Sequence, residues 1–384
     1  MITQGLALPV FAKAVRRGPL PTWTVGSTIV TSSVNKSVDN LGRRVARGGL
    51  GSPLSRRWFL ASAATSAAAL GLAACGVGGG GPTTTPPATD TAGFPVTLKG
   101  KEGTATIPAE PQRVIALGLQ RDADTALALG VTPIAMAENT FIASPIAPWL
   151  DAKLTGQKPE LINTTEGIPL EKIASLRPDL ILATGSYELT DNYTALAQIA
   201  PTVSYIDTAA TDSWQQRTTL IGKALGREEQ AQKAITDIEA QIKQTVQENP
   251  DFAGKTFSFS VVSSREIYTV LEGDAAVTFL KQLGMTLSPK IAKLPRAGLP
   301  EPRSVVSLEN ISMLNADVVI ITYFTDDDKE FVESSQLFQQ SDAAKSGNYI
   351  PLEFVVSFAL AFPSPLAIPY ALDRVVPAAA NVLA

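Results

Sequence analysis

No histidine occurs in the 384 residues, and Cys75 is the only thiol. Without imidazole, every mechanism that needs it as a base is excluded, the Ser-His-Asp triad among them. A dedicated zinc or copper site is also disfavoured, because such sites lean on His and Cys. One cysteine permits no intramolecular disulfide. Asp326-Asp327-Asp328 offers three carboxylates, but successive side chains converge on one ion only in an unusual turn, so a solvated loop is expected there. Gly76, Gly78 and Gly81 match G-x-G-x-x-G. With no strand before them and no helix after, they do not make a dinucleotide site.

The position of Cys75 says more than its chemistry alone. Ser55-Arg56-Arg57-Trp58-Phe59-Leu60 sets two arginines before an Ala-rich apolar stretch, Ala61 to Ala74. That stretch is too short to span a bilayer and has the length of a signal-peptide core. It ends in Leu72-Ala73-Ala74-Cys75, which resembles the bacterial lipobox, where the thiol is acylated and the chain cut just before it. Arg56 and Arg57 in their setting resemble the twin-arginine export signal. The two motifs in order, at this spacing, predict export followed by lipid anchoring at Cys75. Residues 1–54 are basic, Ser/Thr-rich and aperiodic, either a long leading region or sequence ahead of the true start.

Residues 1–74 carry nine Lys and Arg against one Asp, which leaves 23 basic and 35 acidic residues beyond them, a net charge of −12. Such an acidic body is a poor nucleic-acid binder. Gly76 to Gly93, rich in Gly, Thr and Pro, reads as a tether that lets a globular body stand off a membrane.

The elements that must position any site begin at Phe94. Short apolar runs alternate with amphipathic segments: strands at 113–117, 131–136, 180–183 and 203–206, with helices at 122–129, 170–176 and 192–199 between them. This alternation predicts a parallel sheet with covering helices. Glu228 to Glu248 places Ala231, Ala234, Ile235, Ile238, Ile242 and Val246 close to helical spacing, ended by Pro250. A helix of that length is about 30 Å long. Strands at 256–263, 267–271 and 318–322 follow, with helices at 275–283, 308–314 and 367–383.

The halves repeat one another. Leu170-Glu-Lys-Ile-Ala-Ser-Leu-Arg-Pro-Asp-Leu-Ile-Leu-Ala-Thr184 aligns without gaps on Leu308-Glu-Asn-Ile-Ser-Met-Leu-Asn-Ala-Asp-Val-Val-Ile-Ile-Thr322. Two α/β lobes joined by one long helix follow from this, with a cleft between them as the natural ligand site. The expected division is 1–74 for the signal and its extension, 75–93 for the lipidated cysteine and tether, 94–210 for the N-terminal lobe, 211–252 for the linking helix region and 253–384 for the C-terminal lobe.

Several stretches between Val96 and Leu383 carry a family resemblance: PQRVIALG, RDADTALALGVTPIA, IPLEKIASLRPDLILAT, VSLENISMLNADVVIIT and PYALDRVVPAAANVL. The chain resembles the substrate-binding lipoproteins of ABC importers that handle iron–siderophores, haem and vitamin B12. The resemblance implies two Rossmann-like lobes with parallel sheets, joined by a single backbone helix, and a shallow cleft. It also implies that Glu171 and Glu309, at matching helix starts, dock onto arginines of the permease. A carboxylate in a first helical turn is favoured by the helix dipole in any case.

A ferric siderophore calls for Arg and for aromatic faces in the cleft, after the C-terminal ends of strands. Arg121, Tyr187, Arg265, Tyr268 and Tyr323 (with Phe324) stand at such places, Arg121 and Arg265 at comparable points of the two lobes. Trp214 and Arg296 are further candidates. The resulting expectation is a monomeric binding protein with no cofactor and no metal ligands of its own, iron entering only through the siderophore. Its partners are the permease and ATPase of the importer. Haem or a corrinoid in the same fold is one alternative, with a Tyr able to ligate haem iron. A carboxylate-dependent hydrolase and a sensor or scaffold are the others.

Overall fold

Residues 93–156, 158–299 and 302–384 are described by the computed structural model. Arg56, Arg57, Cys75 and the tether up to residue 92 lie outside them. Among the described residues no helix is long and apolar enough to cross a membrane.

Strands β1 (Val96–Lys99) and β2 (Thr104–Ile107) form an antiparallel hairpin. Then come β3 (Val114–Ala116), β4 (Ala135–Ala137), β5 (Glu160–Ile162), β6 (Leu180–Leu182) and β7 (Thr202–Val203). These five make one sheet in the order β5-β4-β3-β6-β7, every pair parallel. β3, β4 and β6 are buried at every position, as strands covered on both faces must be.

The second sheet contains β8 (Thr256–Ser263), β9 (Glu266–Val270), β10 (Thr286–Leu287), β11 (Arg303–Val306), β12 (Val318–Tyr323) and β13 (Tyr349–Leu352). Its order is β11-β9-β8-β12-β13, with β10 pairing β8. β8, β10, β12 and β13 are parallel, but β9 runs antiparallel to both of its neighbours, β8 and β11, so this sheet is mixed rather than wholly parallel. The cause is local. Ser264 and Arg265 both take positive φ, 54° and 61°, which folds β8 straight back on β9 as a two-residue hairpin instead of crossing over through a helix.

The repeated motif plays the same role in each sheet. Asp179, just before β6, accepts hydrogen bonds from the backbone N–H groups of Gln112 and Arg113, which lead into β3. Asp317, just before β12, accepts from the N–H and hydroxyl of Thr256, which opens β8. Each carboxylate thus sets the register of a central parallel pair, and in Asp317 these bonds hold the carboxyl below its usual range.

The helix Glu228–Glu248 joins the two halves. Ala231 belongs to the apolar cluster beneath β3 and β6, whereas Ile235, Ile238 and Ile242 belong to the cluster built on the second sheet. One amphipathic face is therefore buried in both cores, which makes the helix a stiff strut. The closing helix Ala367–Leu383 buries Ala367, Ile368, Ala371, Leu372, Val375 and Ala379.

Two expectations change at the element scale. The segment Leu308–Leu314 is a 3₁₀ helix kinked at Asn310. The run Asp326-Asp327-Asp328 is no loop but the first turn of the helix Asp326–Glu333, where acidic side chains suit the dipole. Asp328 is buried and accepts from the Arg265 N–H and the Thr325 hydroxyl.

Candidate ligand-binding site

The turn from β3 into the helix Arg121–Ala128 is strained. Leu119 and Gln120 hold φ of 47° and 66°, which non-glycine residues seldom adopt. Packing over-determines them: the Gln120 amide donates to the Pro145 carbonyl at 2.7 Å and accepts from the Ala147 N–H at 2.9 Å. Gly118 and Gly185 let the β3 and β6 strand ends touch, since a Cβ on Gly118 would lie 2.6 Å from the Gly185 nitrogen and one on Gly185 2.7 Å from the Gly118 oxygen. The Thr184 hydroxyl crosses the same gap to the Asp122 carboxylate at 2.5 Å.

This frame fixes Arg121. Its Nη2 donates to the Gly185 carbonyl at 3.0 Å. Its guanidinium lies 5.8 Å from the Tyr187 ring centroid and 5.2 Å from that of Phe362. Arg121 is 5% exposed, and its Nε is buried without a hydrogen-bond partner.

A second buried guanidinium lies near enough to feel its charge. Arg217 lies in the helix Trp214–Leu225, whose start is locked by a capping box between Ser213 and Gln216. Its Nη2 reaches the Ala209 carbonyl at 3.3 Å, and its Nε is also buried and unpartnered. Burial pulls its pKa down from 12.5 to about 9, with the charge of Arg121 adding to the effect and the carboxylates of Asp122 and Asp212 opposing it. That fall disfavours the charged form by roughly 5 kcal/mol, yet Arg217 still carries its charge at neutral pH. Among the described residues neither guanidinium joins an ion pair. Asp212 spends its carboxylate on the N–H groups of Ile206 and Asp207.

Tyr187 and Ile206 come just beyond the ends of β6 and β7, Tyr187 against Arg121. They are 37% and 45% exposed, two of four large apolar side chains left so open among the described residues. Glu188, next to Tyr187, has a buried Oε2 without a partner, and desolvation pushes its carboxyl up.

Aromatic side chains close the far side. Phe141 and Trp149 stack on Phe358, with centroids 6.1 and 6.5 Å apart, and Trp149 tilts against Tyr370 at 4.9 Å. Asp124, fully buried, accepts from the Leu366 N–H at 2.9 Å at the start of the closing helix. Its other oxygen, Oδ2, is buried without a hydrogen-bond partner.

Of the sequence-derived candidates, the fold brings Arg121 and Tyr187 into contact. Arg265 sits in the β8–β9 turn, over the Phe331 ring at 5.9 Å, in a groove of about 330 Å³ shared with Asp327, Glu330 and Ser334. Tyr268 lies within β9 rather than beyond a strand end, its hydroxyl on Glu266. Tyr323 ends β12 and pairs its hydroxyl with that of Tyr349 at 2.7 Å, which in turn bonds Glu333. Trp214 is 7% exposed and belongs to the apolar cluster that includes Ile235 and Ile238. Arg296 is exposed in the loop after Pro289–Ala292. Glu171 and Glu309 are exposed in the first turns of their helices, and the backbone N–H of Glu309 itself, then the Ser307 hydroxyl, hold the Glu309 carboxyl below its usual range. Among the described residues no group of three or more His, Cys, Asp or Glu is placed to hold a metal ion.

Arg217, Ile206 and Phe362 were not among those candidates. Only Arg217 left a trace in the sequence: it falls three residues after Trp214 and four before Ile221, on the face of the helix that must be buried.

Two α/β sheets spanned by one buried helix, with side chains gathered at strand ends against the other half, define a bilobal solute-binding architecture. The chain belongs to the periplasmic binding protein family, whose pattern matches residues 115–355. It is 28% identical over 238 residues to the Fe(3+) dicitrate-binding periplasmic protein FecB of Escherichia coli K12, covering 61% of this chain and 74% of that protein. It is 28% identical over 245 residues to the ferric enterobactin-binding periplasmic protein FepB of Escherichia coli O6:H1, covering 60% and 72%. A periplasmic solute binding protein of Mycobacterium smegmatis superposes with a TM-score of 0.67 at 31% identity, over 75% of this chain and 99% of that one.

Proposed function

We propose that this chain is the ligand-capture component of an ABC importer and that its ligand is a ferric siderophore, bound between the lobes. The observation that carries this reading is Arg121, a guanidinium held at the strand ends between Tyr187 and Phe362 with its Nε unpartnered. The ferric ligands named for two relatives support it. The role is binding rather than catalysis: Asp122 and Asp124, the carboxylates nearest in sequence to Arg121, are engaged with Thr184 and with the closing helix, not set beside each other for acid–base work. Iron arrives wrapped in its chelator and needs no protein ligand.

Delivery then runs through Glu171 and Glu309, which engage the two-fold related halves of a permease. The lipid at Cys75 and the tether behind it keep the monomer near that permease and raise its effective concentration. Reversing both charges, Glu171→Arg with Glu309→Arg, leaves ferric siderophore binding by the purified protein unchanged and reduces cellular uptake to background. If the double variant loses binding instead, these carboxylates belong to the ligand site and the docking role fails.

A further inference from the structure

The charges of the body are unevenly spread. Beyond residue 74, 35 acidic residues fall among 310, yet none occurs in the 26 residues from Ala275 to Pro300, the longest acid-free run there. Four cations stand in that run: Lys281, Lys290, Lys293 and Arg296. Lys281 pairs with Glu272. The other three are exposed, and among the described residues none of them joins an ion pair. The short helix Pro289–Ala292 buries Ile291 and sets Lys290 and Lys293, three positions apart, on one side. Two backbone bonds tie the segment to the second sheet: the Ser288 N–H donates to the Phe257 carbonyl and the Ala297 N–H to the Arg303 carbonyl, each at 2.8 Å. Phe257 is the second residue of β8, and Arg303 opens β11 opposite Val270, the last residue of β9. The cations therefore lie at the end of the sheet away from the β8–β9 turn. Glu309 follows the other end of β11.

We infer that Lys290, Lys293 and Arg296 form a contact surface for the anionic headgroups of the leaflet that holds the Cys75 lipid. This rests on the anchoring in the reading above and adds an orientation to it. Gly76 to Gly93 separate the cysteine from the body, a span of at most about 65 Å even when fully extended, so the leaflet stays within reach. An anionic surface attracts cations close to it, and the attraction fades within a Debye length, about 8 Å at physiological salt. The body as a whole, at −12, is repelled, so approach is favoured only with this patch foremost. Contact through the patch keeps the β8–β9 turn and Glu309 away from the leaflet, with the strand ends open to an arriving ligand. Engagement of Glu309 by a permease then requires the patch to let go.

The test places a fluorophore on the full chain at Ala297→Cys or, as the control at the opposite end of the sheet, at Ser264→Cys. Both are made with Cys75→Ser, which leaves a single thiol and no lipid, so the patch is read independently of the anchor. The basic residues 1–74 are common to every variant and cancel in the comparison. Vesicles contain phosphatidylcholine with or without phosphatidylglycerol, and nitroxide-bearing headgroups quench a label that comes close. With phosphatidylglycerol present, the Ala297 label is quenched at least about threefold more than the Ser264 label, and about 0.5 M salt abolishes the difference. Lys290→Gln with Lys293→Gln and Arg296→Gln abolishes it as well. If that triple variant does not fold, as read by circular dichroism, the salt and phosphatidylcholine arms decide. Equal quenching at the two sites, no quenching at either, or quenching at Ala297 that is indifferent to phosphatidylglycerol and salt overturns the inference. Mass spectrometry of the protein recovered from cells reads the anchor separately: a Cys75 without lipid sinks the anchoring reading, whatever the vesicles show.

Discussion

Asp124 shows how a single side chain can couple stability to pH. Its Oδ1 accepts the Leu366 N–H at the start of the closing helix, a favourable contact for a negative charge, while its Oδ2 is buried without a hydrogen-bond partner. Burial opposes it and wins: the pKa rises from 3.8 to about 7. The folded state therefore prefers the protonated form. The associated stability is fully present below about pH 3.8 and is lost progressively as pH rises to about 7, beyond which this group causes no further loss. Asp124→Asn removes the titration. Urea unfolding of both proteins at several pH values tests this: the stability of the wild type relative to Asp124→Asn falls by about 2–4 kcal/mol between pH 4 and pH 7. A flat difference across that window contradicts the assignment. Little of this was legible in the sequence, where Asp124 is one acid in an ordinary amphipathic helix. Its burial comes from a segment 242 residues further on.

Elements were more legible than residues, for a physical reason. Helix and strand periodicity is local, so Glu228–Glu248 and Thr256–Ser263 have the bounds their patterns imply. The internal repeat was legible as well, and the structure gives its two aspartates one job. Asp179→Ala and Asp317→Ala each remove a carboxylate that holds two donors at a strand start. Each lowers unfolding free energy by about 1–2 kcal/mol, and because they sit in different sheets the double variant is additive within roughly 0.5 kcal/mol. Chemical denaturation of the four proteins checks this; strong non-additivity contradicts the independence of the two sheets. The β8–β9 hairpin escaped because Ser264-Arg265 lacks the Asn-Gly or Gly-rich turn chemistry that announces a positive φ. Asp328 escaped because an acidic triplet looks solvated until the Arg265 backbone is folded onto it.

At the scale of the molecule, three connections limit how far the lobes move. One is the strut Glu228–Glu248, buried in both cores. Another is the aromatic contact of Phe141 and Trp149 with Phe358. The third is Asp124 on the closing helix. Hinged closure needs a few residues free to absorb large backbone rotations, and a continuous helix denies them. Small-angle scattering with and without a saturating ferric chelate is therefore expected to give radii of gyration within about 1 Å of each other. A larger contraction contradicts the stiff-strut account. The bilobal plan was legible in the sequence through the repeat and the long helix. The candidate site was legible only in part, because Arg121 and Tyr187 lie beside recognisable strand ends whereas Arg217 and Phe362 are brought near them only by packing.

The most direct test of the central claim is equilibrium binding by the purified full chain to ferric siderophores, haem and cobalamin side by side, read by quenching of tryptophan fluorescence. The account predicts saturable binding of a ferric siderophore at one site per chain, weakened by Arg121→Ala, with haem and cobalamin far weaker. Tight binding of cobalamin or haem alone, or siderophore binding indifferent to Arg121, contradicts it.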